Sequence, residues 1–200
     1  MQLRPCLLAL AFFAAIAQPS WAAPARHLES LSPDRQFGFR ATGSDEDGHA
    51  YNLVRRSTGK VLAKVAYTDA DAGPSSRFIM KVLWRPDSKA FALTAMIWKR
   101  GSYVAVYRRG SGPFHEIKLP ELEAEIPDSV KAGNSYPHFS ELNSQSAKRW
   151  QKNGSLVVEI ENAQDGDAGT ITAFRTVTLA FGKSSEARIV KSAIKFSKTN

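Results

Sequence analysis

Eight residues, Phe91 to Trp98 (FALTAMIW), are apolar on both alternating faces. Successive side chains of a strand point to opposite sides, so a segment without a polar face has to be covered above and below. The segment lies within Trp84 to Leu119, which reads as three successive antiparallel strands. Lys99-Arg100-Gly101 and Gly110-Ser111-Gly112-Pro113 are the turns between them.

The same pattern continues on both sides. Leu31-Ser32-Pro33-Asp34 predicts a turn, with proline fixing φ and the aspartate bonding the backbone beyond it. Phe37 and Phe39 alternate with polar neighbours in a first strand. Tyr51 to Arg56 and Val61 to Tyr67 flank Ser57-Thr58-Gly59-Lys60, a hairpin signal. Gly43 to Gly48 and Thr68 to Ser76 read as loops, and Arg77 to Trp84 as strand. From Gly154 onward Leu156, Val158 and Ile160 share one strand face, Asp165 to Gly169 turns, and Ile171 to Phe181 puts Val177, Leu179 and Phe181 on one side. The last strand is expected to bury Val190, Ile194 and Phe196.

Residues 120–150 read as an insertion between these sheet segments. Pro120 followed by Glu121 and Glu123 predicts a helix start, because acidic groups suit the positive end of the dipole. Pro127 is expected to break that helix, Gly133 to end what resumes, and Ser140 to Arg149 to add another short helical turn. About ten strands at this spacing predict an all-β, antiparallel domain over residues 26–200 with a short helical insertion. Blade-like hairpin repeats forming a partial propeller, or a two-sheet sandwich, are the two architectures that fit.

A shift of 53 positions carries Pro33-Asp34 onto Pro86-Asp87, Arg55-Arg56 onto Arg108-Arg109, and Gly59 onto Gly112. A looser third copy begins at Trp150-Gln151-Lys152-Asn153-Gly154, with Asn-Gly in place of Pro-Asp. Repeats of roughly 40 to 50 residues built from four short strands are typical of propeller blades. Ser32-Pro33-Asp34, and Trp84-Arg85-Pro86-Asp87-Ser88-Lys89 followed by Phe91-Ala92-Leu93, resemble the W-S-P-D-G repeat of TolB-like and WD40-like propellers. The resemblance covers two short motifs and implies periplasmic binding or scaffolding. It carries over no functional residue, and three units are fewer than the 4 to 8 blades of a closed ring.

Met1 to Ala25 reads as an export signal. Arg4 precedes the uncharged apolar run Leu7 to Ala17, Pro19 breaks it, and Ser20-Trp21-Ala22 fits small-residue cleavage. Cleavage is expected after Ala22, making residues 1–22 the signal, with Ala23 and Ala25 as alternatives. The run is shorter than the roughly 20 residues that span a bilayer. The mature chain is therefore expected to be periplasmic or secreted, without a transmembrane segment.

The single cysteine, Cys6, falls in the signal, which excludes disulfides, thiolate metal sites and a cysteine nucleophile from the mature chain. A chain of this size can bury enough apolar surface without such staples. The whole chain carries 27 basic and 19 acidic residues, a net charge of +8. That balance favours encounter with anionic surfaces, and export argues against nucleic acid among them.

No G-x-S-x-G elbow, H-E-x-x-H pair or phosphate-binding glycine loop occurs. His27, His49, His115 and His138 are scattered without ligand spacing. No catalytic residue, metal site or cofactor is therefore assigned. Asp45-Glu46-Asp47-Gly48, Asp69-Ala70-Asp71 and Asp165-Gly166-Asp167 place carboxylates beside glycine as a calcium loop would, but Met80 and Thr176 occupy the position that needs a bidentate glutamate. Turn chemistry is the better reading.

The remaining candidates are basic. Arg55, Arg56, Arg108 and Arg109 stand at equivalent strand ends near Arg100, and side-by-side hairpins would line them up with Tyr51, Tyr103 and Tyr107. Guanidinium groups grip phosphate or carboxylate bidentately, and aromatic rings offer stacking surfaces. The expectation is an exported, non-enzymatic binding or scaffolding protein for a protein or anionic cell-envelope polymer. A secreted-enzyme inhibitor and a hydrolase with dispersed residues are the alternatives, and self-association would run through exposed sheet edges.

Overall fold

The computed structural model describes residues 28–44, 48–68, 80–98, 101–182 and 184–199. Residues 1–27, with Cys6 and the expected export signal, the carboxylates at 45–47, Asp69, Asp71 and Arg100 lie outside them. Three antiparallel sheets follow one another along the chain. The first holds β1 (Phe37–Ser44), β2 (Gly48–Arg55) and β3 (Val61–Thr68). The second holds β4 (Met80–Trp84), β5 (Ala90–Trp98), β6 (Gly101–Arg109) and β7 (Phe114–Ile117). The third holds β8 (His138–Trp150), β9 (Leu156–Gly166), β10 (Gly169–Phe181) and β11 (Ala187–Thr199). Each strand pairs with its neighbour in sequence, so the sheets are meanders and none closes into a barrel. No helix among the described residues is long and apolar enough to cross a membrane.

The apolar period of β5 is met by cover on both faces. Phe91, Ala92 and Leu93 are each 0% exposed. Phe91 and Leu93 join Tyr107 and Phe114 in a core with Phe37, Phe39 and Tyr51 of the first sheet. Ala92 joins Val104, Val106 and Ile117 in a second core with Leu156, Val158, Ile160, Val177 and Leu179 of the third. The two cores differ in kind. One is aromatic, with Phe91 stacked on Tyr107 at 4.9 Å and edge-on to Phe39 at 5.1 Å. The other is aliphatic.

The repeat is a physical unit. Arg35 N–H donates to the Ser32 carbonyl at 2.8 Å, Ser88 N–H to Arg85 at 2.9 Å, and Gly154 N–H to Gln151 at 2.9 Å. In each turn an Asx side chain accepts from the backbone two residues on: Asp34 from Gln36, Asp87 from Lys89, and Asn153 from Ser155. The next residue is left-handed every time, with φ of 55° at Arg35, 57° at Ser88 and 81° at Gly154. Asn153 rather than Gly154 thus matches the two aspartates. The third turn is also one residue shorter, closing Gln151 on Ser155 where the others close Ser32 on Phe37 and Arg85 on Ala90.

A tryptophan precedes the second and third turns, and each reaches back one sheet. Trp84 Nε1–H donates to the Ser30 carbonyl at 2.7 Å, and Trp150 Nε1–H to the Leu83 carbonyl at 2.9 Å. Ser30 and Leu83 occupy the same place in their units, one residue before Leu31 and Trp84. The indole contact is therefore a repeated fastening between neighbours.

Three expectations are corrected. Glu121 to Ile126 is extended rather than helical, with Leu122, Ala124 and Ile126 buried and Glu121, Glu123 and Glu125 outward. Among the described residues the one helical turn, α1 (Asp128–Lys131), starts after Pro127, and left-handed Ala132 ends it. Residues 140–149 are not helical either but form most of β8, whose register shifts between Phe139 and Ser144 hide its alternation. In β11 the pairing jumps from Ile189 opposite Leu179 to Lys191 opposite Thr178, leaving Val190 unpaired at a bulge. Val190 is consequently 52% exposed, while Ile189 and Phe196 pack on the core; Ile194 shares the face of Phe196 but lies on the edge strand and is 44% exposed.

The segment 120–126 is held as a strap by side-chain amides in place of a ladder. Ala124 N–H donates to Asn143 Oδ1, Gln145 Nε2 to the Leu122 carbonyl and Asn162 Nδ2 to the Ala124 carbonyl, at 2.9, 3.1 and 2.9 Å. Asn143 does this from a left-handed conformation, φ 44°. Arg175 adds a bond to the Glu123 carbonyl at 2.7 Å.

Replacing Trp150 by phenylalanine keeps the ring and removes the indole donor. A hydrogen bond lost at a half-buried carbonyl is expected to lower stability by about 1 to 2 kcal/mol, read as a lower urea midpoint with an unchanged slope. Leu93→Ala, in the enclosed strand, should cost more, roughly 2 to 5 kcal/mol.

Candidate functional site

The ends of β1, β2 and β6 meet where the first and second sheets join. Phe37, fully buried, pairs across the ladder with Arg55 and lies edge-on to Phe114 at 5.4 Å. Arg109 pairs with Phe114 across the β6–β7 ladder. Its guanidinium carbon stands 4.6 Å from the Phe37 ring centre and 5.5 Å from that of Phe114. Arg55 approaches the same Phe37 ring at 5.7 Å. Two guanidinium groups from different sheets thus share one aromatic seat, an attraction that fixes a cation without neutralising it.

Two more arginines complete the rim. Arg56 N–H donates to the Gln36 carbonyl at 2.9 Å, which ties the end of β2 to the first repeated turn. That turn presents Arg35 from its left-handed position. Arg35, Gln36, Arg55, Arg56 and Ser57 line a hollow of about 530 Å³. Among the described residues none of Arg35, Arg55, Arg56 and Arg109 forms an ion pair. Guanidinium donors concentrated this way suit a planar or tetrahedral oxyanion.

The other expected members go elsewhere. Arg108 alternates to the opposite face of β6 and donates to the Gly182 carbonyl at 2.8 Å, beyond the end of β10. Arg100 is outside the described residues. Tyr51 and Tyr107 are buried, and Tyr103 is half-buried against the same aromatic core. The Tyr107 hydroxyl lies 3.2 Å from both the Val65 carbonyl and a Glu116 carboxylate oxygen. Burial first, and then Glu116, push that phenol well above its usual range. These tyrosines join the sheets and do not line the rim. Arg35, which the Arg-Arg pairs do not reveal, is found by following the repeated turn to its fourth position.

His115 and His138 are exposed on different sheets, while His27 lies outside the described residues. At the β9–β10 turn Asp165 Oδ1 accepts from the Thr170 hydroxyl at 2.6 Å, as turn chemistry requires. The described residues contain no group of three or more His, Cys, Asp or Glu able to hold a metal ion. Comparison with protein-family models, with curated proteins and with solved structures gives no match.

Two turn aspartates link this end of the molecule to pH. Burial alone would raise the Asp34 carboxyl, but hydrogen bonds from Ser32, the Gln36 N–H and Ser88, with the charge of Arg109, hold it below its ordinary value. Asp87 is lowered by its hydrogen bonds from Arg85, against a burial penalty, with help from the Lys89 N–H and both cationic charges. A carboxyl with a depressed folded-state pKa binds protons more readily when unfolded. Its contribution is complete above the unfolded value of 3.8 and fades as pH falls through the folded one. Melting temperature is therefore expected to drop below about pH 5, and less steeply in Asp34→Asn with Asp87→Asn. An unchanged slope in that double variant would count against the two turns.

Proposed function

We propose that this chain is an exported, non-enzymatic binding or scaffolding module that holds an anionic group of a partner protein or cell-envelope polymer in the arginine rim. The observation that carries this reading is that Arg35, Arg55 and Arg56 line one hollow, and that Arg55 shares the Phe37 ring with Arg109. Guanidinium groups stay charged at every accessible pH and cannot trade protons, so such a rim suits binding rather than acid–base chemistry. The repeated turn and indole fastening support a relation to TolB-like and WD40-like blades, here as an open row of three units. A rigid β scaffold with binding groups at its turns is a common way to build a recognition surface.

Lipopolysaccharide, rich in phosphate, and polygalacturonate, rich in carboxylate, serve as probes. Either should bind more weakly as salt rises, because the contacts are between exposed charges. Each charge-assisted hydrogen bond is worth about 1.5 to 3 kcal/mol, so Arg55→Ala with Arg56→Ala, which removes at least one such bond, should weaken binding by at least about tenfold. Arg108→Ala should leave affinity unchanged, since that side chain is engaged with Gly182. Equal loss in both variants, or none in the first, would reject the rim.

A further inference from the structure

The third sheet ends on β11, which pairs with β10 along one side and leaves its other side open. That open side is used once, at the start of the strand. Lys118 N–H donates to the Ser185 carbonyl and Ala187 N–H to the Lys118 carbonyl, both at 2.9 Å, in a parallel bridge. Pro120 then stops the pairing, since it has no N–H to add to a ladder. From Lys191 to Thr199 the strand keeps an unbroken register with β10 and contains neither proline nor glycine. Among the described residues no strand pairs with the outer side of this stretch. A straight edge of that length is a template for another strand.

Edges of this kind are commonly guarded by bulges or by lysines that stand over them. The bulge at Val190 blunts only the beginning of β11. Lys195, in the middle of the stretch, is drawn back over the ring of its ladder partner Phe174, 5.4 Å from the ring centre. That contact turns the lysine towards β10 and away from the edge, and it orients the charge without neutralising it. Arg188, Lys191 and Lys198 are further exposed cations, and no Asp or Glu occurs from Ala187 to Thr199. Among the described residues none of the four forms an ion pair. On the face that closes the aliphatic core, Phe196 packs on that core while Ile194 beside it is 44% exposed. The cover of the core stops one strand short.

We infer that the β11 edge takes an acidic extended segment of a partner protein as a further strand of the third sheet. Main-chain hydrogen bonds supply affinity in such an addition, and alternate side chains supply specificity. The alternation of β11 sets the pattern. Lys191 and Lys195 lie on its outer face, opposite Thr178 and Phe174, so carboxylates four residues apart would stand across from both. Residues between them, across from Ser192, Ile194 and Phe196, would be apolar and would extend the cover of the core. A second copy fits worse, because two β11 edges side by side set like charges against one another. An anionic polysaccharide would meet the lysines but has no peptide groups to continue the ladder. This edge belongs to a different sheet from the arginine rim and does not depend on it.

The acetylated and amidated peptide Val-Glu-Val-Thr-Val-Glu-Val, titrated into the isotope-labelled full chain, tests this by NMR and hydrogen exchange. Every second amide of the stretch from Lys191 to Thr199 should exchange about tenfold more slowly with peptide bound. The same peptide with lysine in place of glutamate should not bind. Two N-methylated forms, one on the valines and one on the polar residues, separate strand addition from simple charge attraction. Only one alternate set of amides faces β11, so one form should lose binding and the other keep it. Lys191→Glu with Lys195→Glu, changes at exposed positions, should weaken binding several-fold or more, while Arg55→Ala with Arg56→Ala should not alter it. Unchanged exchange in β11 at millimolar peptide, equal binding of both methylated forms, or full affinity in the charge-reversed variant would each overturn the inference. So would protection of the same amides that grows with protein concentration alone, because a second copy would then occupy the edge.

Discussion

Because Phe91 and Leu93 leave β5 in one direction and Ala92 in the other, and all three are fully enclosed, the middle sheet is stable only with a neighbour on each face. Each outer sheet then needs one covered face, supplied by the middle one. The row of three follows from that asymmetry, and stability becomes largely a matter of each unit and its contact with the next. Side-chain size distinguishes the two contacts. Phe91 meets a ring-filled seam, where Phe39, Trp84 and Phe114 also converge on it. Ala92 is small enough for strands of the third sheet to approach closely, and β8 packs directly on β4, β5 and β6. The indole donors of Trp84 and Trp150 then fix the rotation of each unit on the one before it.

The charged rim is a by-product of the same order. Turns that recur in register fall near one another in space, as the bond from Asp34 N–H to Ser88 Oγ at 3.0 Å shows across the two sheets. Arginine at the ends of such hairpins keeps sheet edges soluble, and where two hairpins meet the cations accumulate. What turns accumulation into a site is Phe37, whose ring orients Arg55 and Arg109 without neutralising either. The left-handed Arg35, a conformation that costs energy for a residue with a Cβ, brings the fourth cation to the same place.

Strands and turns were legible in the sequence because their signals are local. A period of two, a Pro-Asp pair and a glycine each act within a few residues, and the 53-residue shift is a comparison of such signals. Legibility failed where the phase was altered or the partner was remote. The bulge at Val190 moves the inward positions of β11 from odd to even numbers, so one parity cannot describe the strand. The irregular start of β8 does the same between Phe139 and Ser144. Leu122, Ala124 and Ile126 do alternate with glutamates, but Pro120 with acidic neighbours matches a helix start equally well. Only Asn143, Gln145 and Asn162, all distant in sequence, decide the matter. At the rim the error was one of depth. Tyr107 and Arg109 share a face of β6, yet the first sheet covers the tyrosine and stops short of the arginine.

The strap shows why a chain would secure an extended segment with amides instead of adding another strand. A ladder would engage the backbone at every residue and bring the segment flush with its partner. Side-chain anchors engage chiefly Leu122 and Ala124. Its inward residues Leu122, Ala124 and Ile126, with Tyr136 beyond α1, still close the aliphatic core that the two sheets leave open. The outward glutamates and the gap beneath them remain as a groove, with Asn162 spending one amide atom on the anchor and leaving the other unmet. An anchor of this kind seals a core and keeps a cavity at the same time, which a paired strand in that position would not do.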